Sequence, residues 1–136
     1  MDQSELEEKY PCEVEITNSH MVSHEMRDIK NWEKEVFVAF YLDTRNKIIS
    51  REILCIGTLD TVMVHPRDVF RTAIVRNAKS VIVAHNHPSG KTKPSDEDIR
   101  ITKELKKAGD VLHIRLLDHV VVSREGYYSL SDNNMI

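Results

Sequence analysis

Apolar residues fill every position from Val36 to Leu42, the longest uninterrupted block in the chain. Such a block predicts a strand covered on both faces. The polar stretch Asp43-Thr44-Arg45-Asn46-Lys47 predicts a turn, and Ile48 to Ile56 a second strand ending at Gly57, so the two form a hairpin. His65-Pro66-Arg67-Asp68 opens a helix, with proline suited to its first turn. Val69, Phe70, Ala73 and Ile74, with Asn77 a turn later, supply the stripe that packs on a sheet. Ser80 to Ala84 is a short buried strand running straight into His85. A second helix is expected from Ser95 to about Ala108, with Ile99, Thr102 and Leu105 inward, Ile101 at the margin and Gly109 as C-cap. Val111 to Val122 returns to strand character, and Tyr127-Tyr128-Ser129-Leu130 makes a last short strand. The order β-β-α-β-α-β-β predicts an α/β domain, a mixed sheet flanked by helices, over residues 33–136.

Residues 1–32 carry no comparable signal and form an ill-defined N-terminal extension in this reading. Cys12, Val14 and Ile16 alternate with charged neighbours, as in a short strand, whereas Asn18 to Trp32 is polar without a clean period. Composition adds modest bounds. A chain of 136 residues, 40% hydrophobic and 30% charged, has the makings of one folded domain and is unlike a disordered polymer. The net charge of −3 announces neither a nucleic acid nor a membrane as partner. No apolar run approaches the roughly 18 residues of a spanning helix. The acidic start Met1-Asp2-Gln3-Ser4-Glu5 is unlike a signal peptide, so the expected compartment is the cytoplasm. Cys12 and Cys55 stand far apart, outside any C-x-x-C pair, and are expected as thiols.

The chemistry concentrates at His85-Asn86-His87-Pro88-Ser89-Gly90, followed by Ser95 and Asp98: H-x-H-x7-S-x2-D. On a strand, residues i and i+2 share a side, so His85 and His87 project together and Asn86 faces away. Pro88 and Gly90 break the strand, which puts both rings at an exposed strand end. Two neutral imidazoles and the Asp98 carboxylate would hold zinc and leave a fourth position for water. Each part has an ordinary explanation. Histidines in loops are commonly surface residues, and Ser95-x-x-Asp98 resembles a capping box in which Asp98 stands where Glu or Gln is usual. The conjunction of all the parts at fixed offsets favours a metal site.

The spaced motif resembles the signature of the JAMM (MPN-plus) metalloprotease superfamily. Gly57-Thr58, Val64-His65-Pro66-Arg67, Ala84 to Gly90, Pro94-Ser95 and Leu117-Asp118-His119 resemble its RadC branch, and the similarity runs from about Glu35 to Leu130. The resemblance implies zinc on His85, His87 and Asp98, and an upstream glutamate that holds and deprotonates the zinc's water. Glu35, heading the first core strand, is the leading candidate; Glu52 is its main competitor and Glu33 a weaker one. Zinc would bring the pKa of that water toward about 7. Glu35 would pass the proton to the leaving amine, and Ser95 would donate to the oxyanion. The implied substrate is a peptide or protein, cut at a peptide or isopeptide bond.

Other readings fare less well. The RadC name carries an old association with DNA repair, but longer members place a helix-hairpin-helix segment ahead of this domain. This sequence has no room for one, and its net charge is negative, so a nucleic-acid role lacks support. A zinc deaminase needs H-x-E and P-C-x-x-C, and neither is present. The letters H-N-H do not make a nuclease, whose motif of that name is spread over a longer segment. A metal-free binding module of the same fold is disfavoured by the intact His85, His87, Ser95 and Asp98. His65 is expected to cap or pack its helix, and Asp118-His119 to make a structural hydrogen bond or support the zinc ligands from behind. Arg67, Arg71, Arg76 and Lys79 read as a solvated face.

Overall fold

A computed structural model describes residues 14–57 and 64–136. Cys12 and Thr58 therefore lie outside the described residues. The elements are α1 (Ser19–Glu25), β1 (Val36–Leu42), β2 (Ile48–Ile56), α2 (Pro66–Val75), β3 (Ser80–Asn86), α3 (Asp96–Leu112), β4 (Arg115–Ser123) and β5 (Gly126–Ser129). The strands form one sheet in the order β2-β1-β3-β4-β5. Pairing is antiparallel everywhere except between β3 and β4, which α3 connects as a crossover. The architecture is the expected mixed α/β sheet.

The apolar block earns its burial by sitting centrally, between β2 and β3. Because strand side chains alternate, β1 serves two cores. Val36, Val38, Phe40 and Leu42 join Ile82, Ala84, Val120 and Val122 on one face. Phe37, Ala39 and Tyr41 join Val81 and Val83 on the other, under α2 and α3. Every residue of β1 and β3 is buried.

The segment before β1 is part of this domain's packing. Val22, Met26 and Ile29 are essentially inaccessible and complete the first core together with Ile16. There is no break in packing at residue 33. Val22, Met26 and Ile29 stand at i, i+4 and i+7, but they are set among polar neighbours and the helix itself ends at Glu25, so the spacing runs on through turns and gives no clean period over the segment. Asn18 caps α1 by accepting from the Met21 N–H at 3.0 Å. Arg51, buried on β2, holds the segment down through an ion pair to Asp28 at 2.8 Å and a hydrogen bond to the Glu25 carbonyl. Ahead of α1, Val14 and Ile16 bond to Ile48 and Asn46, and Glu15 makes an isolated bridge with Lys47.

The junction between α3 and β4 differs from expectation. Helix α3 runs through Gly109 to Leu112, so Gly109 is a buried interior residue. A Cβ there would run into the Ile114 carbonyl and press on Phe70, which explains a glycine inside a helix. His113, at φ 58°, makes the left-handed cap instead. Strand β4 therefore starts at Arg115, and the apolar Val111 and Leu112 are exposed helix residues. On α3 the inward residues are Ile101, Thr102 and Leu105, with Ile99 only half-buried; on α2, Ile74 points outward. Among the described residues, no helix is long and apolar enough to cross a membrane.

Candidate metal centre

The end of β3, the start of β1 and the first turn of α3 meet at one point. His85 lies in β3 beside Phe37 of β1 in antiparallel register, and its ring stacks on Phe37 with centroids 5.6 Å apart. Alternation along β1 puts Glu35, two residues before Phe37, on the same side. Asn86, pointing to the opposite face, fixes that approach. Its side-chain oxygen accepts from the Val36 N–H at 2.6 Å, and its amide donates to the carbonyls of Trp32 and Lys34. His87 follows β3, its N–H donating to the Val122 carbonyl. Asp98 arrives from α3, whose N-cap is Ser95. The Ser95 Oγ accepts from Asp98 N–H at 3.1 Å, while the Asp98 Oδ2 accepts from Ser95 N–H at 2.8 Å.

One side-chain donor atom from each of Glu35, His85, His87 and Asp98 lies within 4.8 Å of the others. His85 Nε2 is 2.9 Å from His87 Nε2, 3.3 Å from Asp98 Oδ1 and 3.6 Å from Glu35 Oε1; His87 Nε2 is 3.2 Å from Asp98 Oδ2. Donor atoms at about 2.0–2.1 Å from one tetrahedral ion stand roughly 3.3 Å apart, so the His-His-Asp separations suit a single zinc-sized cation. The direction of the His87 ring agrees. Its Nδ1 lies 3.1 Å from the Lys91 carbonyl, which can only accept, so Nδ1 carries the hydrogen and Nε2 presents a lone pair inward. Lone pairs and a carboxylate pointed at one spot require a positive charge among them. The residues fit the ion.

Ionisation follows from the same contacts. Burial alone would raise the Asp98 carboxyl, but the adjacent imidazoles of His85 and His87 and the Ser95 N–H hold it well below the usual carboxylate range. Burial opposes charging of His87, yet the adjacent Asp98 raises its pKa overall. His119 is held well below the ordinary imidazole value, first by complete burial and then by repulsion from His85. Burial also raises Asp118, against the hydrogen bonds it receives from Ser129 and from the Ser131 and His119 N–H groups.

Against expectation, His85 is not at an exposed strand end; it is fully buried, and only His87 lies partly open. The reason is that β3 continues through Asn86 and Phe37 covers the ring. Of the three glutamates, Glu35 joins the cluster. Glu52 sits across from Ala39 in mid-strand and faces Arg76 at 3.9 Å, and Glu33 is exposed outside the cluster. Ser95 caps α3 beside Asp98. His65 is the N-cap of α2, where its N–H donates to Asp68 at 3.1 Å. Asp118 bonds Ser129, Ser131 and the His119 N–H, and His119 contacts His85 from behind. Arg67, Arg71, Arg76 and Lys79 are exposed, and Cys55 is a half-buried free thiol. The clamp by Asn86 had no signal in the sequence, because its partners are backbone groups of a segment about fifty residues away.

Sheet order, crossover and site together define an α/β domain of the JAB/MPN type. The chain belongs to the RadC family: the model of the RadC-like JAB domain matches residues 16–135. A UPF0758 protein of Thermotoga maritima is 52% identical over 100 residues, covering 74% of this chain and 45% of its own length. UPF0758 proteins of Geobacillus thermodenitrificans and Methanosarcina mazei are 45% and 43% identical, covering 82% and 79% of this chain and 49% and 47% of their own lengths. The chain thus spans about half the length of these curated relatives.

Proposed function

We propose that this domain is a zinc-dependent hydrolase, a metallopeptidase cleaving peptide or isopeptide bonds. The observation that carries the reading is the convergence of Glu35, His85, His87 and Asp98 on one point at the end of β3. His85, His87 and Asp98 would hold the ion and leave one position open. Zinc bound there would supply Lewis acidity and a water acidic enough to ionise near neutral pH.

Glu35 is the general base. At its carboxylate it takes the proton of the attacking water, and it returns that proton to the amine nitrogen as the C–N bond breaks. Its partial exposure leaves room for substrate on that side. The Ser95 Oγ accepts from the Asp98 N–H, which leaves its own hydrogen free to donate to the oxyanion of the tetrahedral intermediate. The buried His85 and the capped Asp98 keep the donor set in place without rearrangement.

Metal analysis of protein purified after zinc-supplemented growth tests the reading, together with cleavage of a mixed peptide and isopeptide library followed by mass spectrometry. We expect one zinc per chain, loss of zinc in His85→Ala and Asp98→Ala, and retained zinc without cleavage in Glu35→Gln. A zinc-free parent protein sinks the proposal, and cleavage retained by Glu35→Gln but lost in Glu52→Gln transfers the base to Glu52.

A further inference from the structure

Behind His85 lies a buried chain of hydrogen bonds whose direction follows from its far end. The Thr102 Oγ lies 2.6 Å from the Asp98 backbone carbonyl and 2.6 Å from His119 Nδ1. A carbonyl only accepts, so the single hydroxyl hydrogen of Thr102 goes to Asp98, and His119 Nδ1 must be the donor to Thr102. His119 Nε2 then carries the lone pair of a neutral ring. It lies 2.8 Å from His85 Nδ1, which must donate to it. The remaining nitrogen of His85, Nε2, is left with its lone pair facing His87 and Asp98. We infer that Thr102 and His119 are positioning residues that lock His85 in the Nδ1–H tautomer, presenting Nε2 as a ligand. The chain closes on Asp98 itself, so one residue supplies a carboxylate to the site and the carbonyl that orients the opposite ligand.

This inference rests on the metal-site proposal but has its own readout. Nitrogen-15 shifts of the histidine rings in zinc-free protein at neutral pH are expected to show hydrogen on Nδ1 of both His85 and His119. Thr102→Val is expected to weaken zinc binding by roughly 10- to 100-fold, as loss of a ligand's supporting partner does, and Thr102→Ser to restore it. Hydrogen found on His85 Nε2 overturns the inference whether or not Thr102→Val folds. Zinc affinity unchanged in a folded Thr102→Val also overturns it. The correct tautomer in a protein that never takes zinc instead defeats the metal reading alone.

A separate observation concerns the substrate. A cavity of about 170 Å³ opens beside His87, lined by Lys30, Asn31, Trp32, Pro88 and Arg124. Arg124 lies over Gly90 and donates to the carbonyls of Pro88 and Ser89 at 3.4 and 3.2 Å. Among the described residues, no carboxylate lies within ion-pair distance of Lys30 or Arg124. Two basic residues, a tryptophan and a proline line the slot, next to a residue of the site. We propose that the slot takes a carboxylate of a peptide substrate, extending the peptidase reading. Trp32 is the chain's one tryptophan, so its fluorescence reports the slot directly. Titration with acetyl-Gly-Glu-Gly-amide and acetyl-Gly-Gly-Gly acid is expected to give saturable changes, and the arm that binds tighter identifies a side-chain or C-terminal carboxylate. Acetyl-Gly-Gly-Gly-amide should give none, and Lys30→Met with Arg124→Met should weaken the acid response at least tenfold. Equal response to the neutral peptide, no response to either acid, or an unchanged double variant overturns the proposal. Zinc content, measured on the same samples, tests the metal reading independently.

Discussion

Asp98 carries two duties in one side chain, and substitutions separate them. As the third residue of α3 it accepts from the Ser95 N–H, and as a member of the cluster it faces both histidines. Asp98→Asn keeps an acceptor oxygen for the cap but removes the charge. Measured without zinc it is expected to change the unfolding free energy little, and it is expected to abolish zinc binding. Ser95→Ala removes the cap and is expected to cost about 1 kcal/mol, read by denaturant unfolding. Acidity acts through the imidazoles. Asp98 is held low and stays ionised, whereas His87 is raised, so protons compete for its Nε2 from above the ordinary histidine value. A protonated ring cannot ligate. Zinc retention is therefore expected to fall as pH drops, starting above the range of an ordinary histidine, with histidine and not carboxylate titration setting the midpoint.

At the scale of elements, the helix-to-strand junctions decide what the site receives. Helix α3 supplies Asp98 at its start and packs Gly109 against Ile114 and Phe70 near its end. Gly109→Ala raises helix propensity by up to about 1 kcal/mol, yet the contact it creates is with backbone, which cannot swing aside. The clash is expected to win, giving a net loss of about 1–3 kcal/mol in thermal or denaturant unfolding, as for other overpacked sites. A stabilised Gly109→Ala protein would show that the α3–β4 junction relaxes freely. The α1 segment matters to the site as well. It leads into Trp32 and Lys34, whose carbonyls Asn86 grips, and so sets where Glu35 stands.

For the whole molecule, the donor set joins β1, β3 and α3, three elements that an unfolded chain does not hold together. An ion bound there stabilises the fold by mass action, since the unfolded chain has no assembled site. With free zinc about a hundredfold above its dissociation constant, the gain is about 2.7 kcal/mol. For a chain of this size that is a rise of roughly 10 °C in the unfolding midpoint. Differential scanning calorimetry with zinc and with a chelator checks this, and the shift should vanish in His85→Ala. Equal midpoints in the parent protein with and without zinc would count against a site spanning these elements.

What sequence alone determined follows from short-range periodicity. Side-chain alternation put His85 and His87 on one side and Asn86 on the other, the unbroken apolar block marked β1, and fixed offsets singled out Ser95 and Asp98. Each of these depends on residues a few positions apart, so local sterics and hydrophobic pattern suffice. The tertiary structure decided the rest. It buried His85 against Phe37, and it brought Glu35 rather than Glu52 to the cluster through the β1–β3 register. It also drew Ile16, Val22, Met26 and Ile29 into the core from a mostly polar segment with no clean period, and carried α3 past Gly109 because a glycine was needed where two backbones touch. It placed His119 behind His85, deciding between the structural and the supporting role that the sequence left open for it, and added Thr102, whose helical pattern points to nothing more than packing. Those outcomes depend on contacts between residues far apart in the chain, which are fixed only when the sheet order is.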